Sequence, residues 1–222
     1  MPPTLLLDLD GTLIDSIPDL LSALNRMGGP RGFKPFDRAE ITPMIGDGAR
    51  ILLERAFAAR NTAFDETALA PYLADYTAHS AVETKPFPGV FETLQMFGDK
   101  GWKIAVCTNK PVEPSHAVLA ALGLMPYLAA IGGGDSFPIR KPDPGHLLGT
   151  LALAGGGIDA AVMVGDHRND VLAANAAGVP CIFAAWGYGP IAMAEKAAAI
   201  ADRFSDLPKM AELLLQDTTI VG

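Results

Sequence analysis

Short, almost unbroken apolar runs recur along the chain, each ending where aspartate, threonine, glycine or proline stops the pattern. The first runs from Thr4 to Asp10 and closes on aspartates. Its length suits a strand, and its lack of polar alternation suits one covered on both faces in a parallel sheet. The pattern returns at Lys103 to Thr108, Ala161 to Gly165 and Pro180 to Ala185, with a weaker run at Tyr127 to Ile131. Stretches of helical spacing with glycine and proline punctuation lie between them. Strands alternating with helices predict an α/β fold with a doubly wound, Rossmann-like parallel sheet, whose ligands bind beyond the carboxyl ends of the strands.

The alternation fails between about Ser16 and Thr84, where helical patterns run on for too many residues to be a crossover. We therefore expect a helical cap domain at residues 16–84, inserted into a core domain made of residues 1–15 and 85–222. Within the insertion, Asp37 with Glu40 three positions later is a capping-box pattern. The loop Met44-Ile45-Gly46-Asp47-Gly48 then opens a helix whose apolar face takes in Ile51, Leu52, the Arg55 stem and Ala56. A further helix is predicted from Glu66 to His79. The return segment Lys85-Pro86-Phe87-Pro88-Gly89 is stiffened by its prolines and, with the region of Ile14 to Ser16, makes a two-strand hinge.

Composition narrows the function classes. The chain has 222 residues, half of them apolar and 19% charged, which excludes a chain too polar to bury a core. No apolar run approaches the length of a membrane span, and MPPTLLLDLDG reaches aspartate too early for a signal peptide, so a soluble cytoplasmic protein is expected. Cys107 and Cys181 lie far apart inside apolar runs and read as core thiols. A net charge of −8 without a basic run argues against nucleic-acid binding. It does not exclude a phosphate ligand, because a metal ion and a few local donors can invert the field at one site.

Strand ends supply the candidate chemistry. Alternation along the first run places Asp8 and Asp10 on one side, where the chain leaves the sheet and Gly11 permits a sharp turn. Asp166 and Asp170 follow the third strong run in GDHRND, one at the strand tip and one a helical turn later. Four carboxylates converging on one pocket require a cation. Between the pairs stand Thr108 and Asn109, whose hydroxyl and amides can hold phosphoryl oxygens, and Lys141 in RKPDP, whose ammonium can neutralise phosphate and nucleophile.

These segments resemble the motifs of the haloacid dehalogenase superfamily, in its phosphatase branch: DLDGTLIDS at Asp8 to Ser16 the first, CTNK at Cys107 to Lys110 the second, RKPDP the third and GDHRND the fourth. The resemblance implies that Asp8 is the nucleophile, Asp10 the general acid and base, Thr108 and Lys141 the phosphate ligands, and Asp166 a Mg²⁺ ligand alongside Asp8 and the Asp10 carbonyl. Asp170 would stand behind these ligands or orient a ligand water. Chemistry agrees, since carboxylate attack on phosphorus divides one difficult displacement into two easier ones. An acid at position 10 argues against the halide-displacing branch. His167 departs from the serine frequent at its position and is expected to pack beside the metal site. His79, His116 and His146 lack ligand spacing and are expected to be structural or exposed.

The insertion must set the substrate. Its segments SIPDLLSALNRM and PMIGDGARILLERAF resemble those of phosphoglycolate phosphatases, as does Trp186-Gly187-Tyr188-Gly189 after the last strong strand, read as a wall of the crevice. Gly46 can place backbone amides over the site, and Arg50 is a candidate partner for a substrate carboxylate. The expected activity is Mg²⁺-dependent hydrolysis of a small anionic phosphate ester, with 2-phosphoglycolate favoured, by a monomer or homodimer that binds neither nucleic acid nor membrane. Other phosphatase substrates (pyrophosphate, nucleotides, sugar phosphates), a phosphomutase, and a non-catalytic phosphate-binding module are the alternatives. A phosphonate-cleaving relative would need a cap lysine, and Lys34 is the only one well inside the insertion.

Overall fold

Six parallel strands form the sheet, and their order follows from which apolar runs can be covered on both faces. The computed structural model describes residues 1–220, with side chains through Gln216. Central β1 (Thr4–Leu7) lies between β4 (Lys103–Cys107) and β6 (Ala161–Gly165); β5 (Ala130–Gly132) flanks β4, and β7 (Cys181–Ala184) then β8 (Ala199–Ala201) flank β6. Leu7 pairs with Val106 on one side and Val164 on the other, so three neighbouring strands end at one level. The chain leaves β1 in one direction and returns on its other side, which makes this end of the sheet a topological switch point.

Alternate residues of each strand feed two different cores. Leu5, Leu7, Ile104, Val106, Val162 and Val164 pack with α5 (Val90–Asp99), α6 (Val112–Ala121) and α9 (Leu207–Ile220). Leu6, Ala105, Cys107, Met163 and Phe183 pack on the opposite face with α7 (Pro144–Leu153) and α8 (Arg168–Ala177). Burial on both faces accounts for the missing polar alternation. Cys107 and Cys181 are buried free thiols. Among the described residues no helix is long and apolar enough to cross a membrane.

The buried members of a third cluster all lie in the insertion, with Tyr188 of the core packed against it: Leu20, Ala23 and Leu24 of α1 (Ile17–Gly28), Leu53, Ala56 and Phe57 of α3 (Ala49–Ala59), and Tyr72 and Tyr76 of α4 (Leu69–Ala78). Short α2 (Arg38–Ile41) starts at the Asp37–Glu40 capping box, both reciprocal bonds of which are present. Two short antiparallel strands, β2 (Ile14–Asp15) and β3 (Lys85–Pro86), pair as one ribbon at the neck. Separate cores joined through one ribbon lead us to propose residues 16–84 as a cap on a core of residues 1–15 and 85–222.

The structure corrects three local readings. β1 stops at Leu7, and the chain then curls so that Thr12, Leu13 and Ile14 all donate to the Leu9 carbonyl; Asp8 and Asp10 come together through this turn, not through strand alternation. The buried face of α3 is Leu52, Leu53, Ala56 and Phe57, whereas Ile51 is only partly buried and the Arg55 guanidinium bonds Asp47 at 2.5 Å. β8 has no counterpart in the apolar pattern, because Ala199-Ile200-Ala201 lies in an alanine-rich tract without apolar contrast.

Buried Asp19, in the first turn of α1, accepts the backbone N–H groups of Val82, Glu83 and Thr84 at 3.0, 3.1 and 2.9 Å and the Thr84 hydroxyl at 2.7 Å. It thereby ties the outgoing neck of the cap to the incoming one. Asp19→Asn turns a donor toward these donors and should destabilise the fold by about 2–3 kcal/mol, read from the urea midpoint at unchanged slope.

Candidate active site

Shared register at the switch point brings the separated motifs together. Asp8 follows β1, Thr108 follows β4 and Asp166 follows β6, and all three are buried. Asp170 enters from the first turn of α8, where it accepts the His167 N–H at 3.0 Å as part of a capping box. Oxygens of Asp8, Asp166 and Asp170 lie within 4.8 Å of one another. Hard, buried carboxylate oxygens at this spacing fit a hard divalent cation.

Lys141 is the counterweight. Its ammonium donates to Asp170 at 2.5 Å and to the Cys107 carbonyl at 2.5 Å, and stands 3.1 Å from Asp8. Burial works against its charge, but Asp170 and Asp8 outweigh that effect and raise its pKa, so it remains cationic. Asp166 has no such partner. Thr12 donates to it at 2.9 Å and the Tyr188 amide at 2.7 Å, yet burial, then the charges of Asp8 and Asp170, push its pKa up to about 7. An acid made this reluctant to ionise by its neighbours is one that a bound cation would favour in its charged form.

Close backbone approach makes room for this cluster. Gly11 has a φ of +87°, and a Cβ there would fall 2.4 Å from an Asp166 oxygen; one on Gly187 would fall 2.2 Å from the Asp166 Cβ. The stretch Trp186 to Gly189 therefore walls the crevice at the acidic side, with Tyr188 also bonding the Ser16 amide at 2.7 Å and Asp15 at 2.9 Å through its hydroxyl.

Asp10 projects beside Asp8, and both line the two cavities that meet at the strand tips. The Ser16 hydroxyl holds Asp10 at 2.6 Å, and the Lys110 ammonium spans its carboxylate at 3.0 and 3.1 Å. Sequence reasoning gives Lys110, Ser16 and Thr12 no role of their own, and gives Tyr188 only a place in the crevice wall. Lys110 and Ser16 lie inside recognisable motifs, but nothing in their spacing shows that they converge on Asp10.

Asn109 lines the cavity under the cap, and its amide nitrogen donates to the carbonyls of Lys141 at 2.9 Å and Gly46 at 3.0 Å. With Asn169, which donates to Asp47 at 2.7 Å, it pins the cap loop to the core. Gly46 is where cap meets core most tightly: its φ is +110°, and a Cβ would lie 2.7 Å from the His167 ring. His167 itself caps α8 through Nδ1, which accepts the Asn169 N–H, and burial lowers its pKa. Arg50 is a correction. The sequence suggests that it faces a substrate, but it is exposed on the outer side of α3, paired with Glu54 at 3.0 Å and with Glu66, and lines neither cavity. Of the remaining histidines, His79 and His116 are exposed, whereas His146 is buried against Cys107, with burial taking its pKa down to about 4.

A family model described as haloacid dehalogenase-like hydrolase matches residues 5–184. A phosphoglycolate phosphatase of Agrobacterium fabrum is 42% identical over 88% of this chain and 85% of its own length. One from Rhodospirillum rubrum is 39% identical over 93% of this chain and 90% of its own. A crystal structure described as a predicted phosphoglycolate phosphatase from Haemophilus somnus superposes with a TM-score of 0.87 at 29% identity, over 94% of this chain and 97% of that one. With its four motifs gathered at one end of a parallel sheet, the chain belongs to the haloacid dehalogenase-like hydrolase family, among its phosphatases.

Proposed function

We propose that the chain hydrolyses 2-phosphoglycolate to glycolate and phosphate, through a phosphoryl group held covalently on Asp8 and with Mg²⁺ bound. The observation that carries this reading is the position of Asp8, 3.1 Å from the Lys141 ammonium and within 4.8 Å of two further acids, at the mouth of a cavity it shares with Asp10. The substrate assignment rests on the phosphoglycolate phosphatases that resemble this chain over most of their length.

Thr108 and Lys141 would take phosphoryl oxygens, orienting phosphorus toward the Asp8 carboxylate. An Asp8 oxygen displaces the alkoxide, and Asp10 gives that alkoxide a proton. Asp10 then takes a proton from the water that releases phosphate from Asp8. Ser16 and Lys110 aim Asp10 for both steps. Asp8, Asp166 and the Asp10 carbonyl would hold the magnesium ion, with Asp170 behind them through Lys141 and His167. When bound, the ion offsets the repulsion between a phosphate dianion and these acids. The cap loop, pinned by Asn109 and Asn169, excludes water while the ester is intact.

Asp8→Asn is nearly isosteric and should lower kcat by at least about 10⁴-fold with the folding transition retained; turnover close to wild type would reject the mechanism. In phosphate-release assays, kcat/KM for 2-phosphoglycolate should exceed that for pyrophosphate, nucleotides and sugar phosphates by at least about 10-fold, the lower end of what pocket contacts discriminate. Magnesium at about 100 times its Kd should raise Tm by about 5–10 °C, reversibly with chelator, and Asp166→Asn should lose that response.

A further inference from the structure

The cavity beneath the cap carries only one permanent positive charge. Of its lining side chains, Leu20, Ile45, Leu52, Tyr72, Leu73 and Tyr76 come from the cap, and the sole lysine or arginine among the described residues is Lys110. That side chain is almost wholly buried, and its ammonium bonds the Tyr76 hydroxyl at 2.7 Å while spanning Asp10. Tyr76 also lays its ring 4.2 Å from the ammonium. Tyr72 is stacked on Tyr76 with ring centroids 6.4 Å apart. Its hydroxyl is buried at the cavity wall and has no hydrogen-bond partner. Buried hydroxyls are normally paired, so a specific orphan at a ligand cavity points to a ligand.

We infer that Lys110 and Tyr72 form the receptor for the end of the substrate remote from phosphorus, and that this receptor is built for a carboxylate. The inference rests on the phosphatase reading above and deepens it. With phosphorus at Asp8, the rest of a small ester lies between the strand tips and α4, where it meets an ammonium and a phenol O–H. The Tyr72 hydroxyl has a proton free to donate, and the ammonium, whose three N–H groups face the two Asp10 oxygens and the Tyr76 hydroxyl, can turn one of them to a compact anionic acceptor that meets both residues. The cap side of the wall is mostly leucine, isoleucine and alanine, so a sugar or nucleoside would find few partners for its several hydroxyls there beyond the unpaired Asn109 Oδ1 on the core side. Arg50, the other candidate for this task, lies outside the cavity, where it pairs with Glu54 and Glu66.

The test compares 2-phosphoglycolate with ethyl phosphate, which replaces the carboxylate by a methyl group, in wild type, Lys110→Met and Tyr72→Phe. The readout is the ratio of the two kcat/KM values, so that a general loss of Asp10 function or of folded protein divides out. The ratio should fall about 100-fold in Lys110→Met and about 10-fold in Tyr72→Phe, the usual worth of a charged and of a single hydrogen bond. If the wild type prefers 2-phosphoglycolate and both variants keep that preference, this receptor is wrong and the proposed substrate stands. A wild type without the preference overturns the substrate reading and this inference with it.

Discussion

Everything at the strand tips depends on keeping three carboxylates buried within a few ångströms of one another. Asp8, Asp166 and Asp170 present three negative charges to one ammonium, that of Lys141, and the balance of two negative charges is what a divalent cation offsets. In a low-dielectric pocket the imbalance cannot be left to solvent. Its mark is the upward displacement of both Asp166 and Asp170, driven first by burial and then by the neighbouring carboxylates, which the Lys141 ammonium beside Asp170 does not cancel. Lys141 must come from a loop distant in sequence, and only a sheet whose strands end at one level can deliver it. Strand order, register and glycine approach are in this sense consequences of the charge problem.

The same residues that carry charge also carry shape. Tyr188 donates its amide to Asp166, and its hydroxyl accepts the Ser16 N–H and donates to Asp15, so the acidic loop and the neck of the cap are one hydrogen-bonded unit. Asp15 in turn pairs with Arg38 at the base of the cap, and Ser16 holds Asp10. Asn109 joins the Lys141 loop to the cap loop through a single side-chain amide. Position of the cap and geometry of the acid and base are therefore coupled through short, directional bonds, not only through an apolar interface. This gives the division of labour a physical form: core strands supply the phosphorus chemistry, and the cap completes the enclosure in which it occurs.

Much of this is legible in the sequence because the decisive signals are local. A run such as Ala161 to Gly165 becomes β6 with the same ends, since apolar residues bounded by glycine and aspartate leave few choices. The Asp37–Glu40 box is likewise a local exchange of hydrogen bonds. Legibility stops where the outcome depends on approach between distant segments. Thr12 finds Asp166 across 154 residues, and Lys110 finds Asp10 across 100, with no periodicity to announce either. β8 exists because β7 offers it an open edge, a tertiary cause that alanine-rich sequence does not display.

Arg50 and Lys110 show the same limit in opposite directions. Both are cations in segments that adjoin the cavity, and charge complementarity alone favours the longer, forked arginine as a carboxylate partner. Yet Glu54 lies four positions beyond Arg50, the spacing at which helix side chains pair, and that local signal marks a residue engaged along its own helix. Lys110 has Glu113 three positions on, but it precedes α6 instead of lying within it, so the two are not neighbours on one helix face and the ammonium pairs with Asp10. A cation left unpaired by its own segment is available to groups brought in by the fold, and here those are Asp10 and the cap tyrosines. Local pairing thus acts as a constraint on which charges remain free for a site, and it works only where the cation lies within the helix: α3 claims Arg50, whereas Lys110, outside α6, is left to the fold.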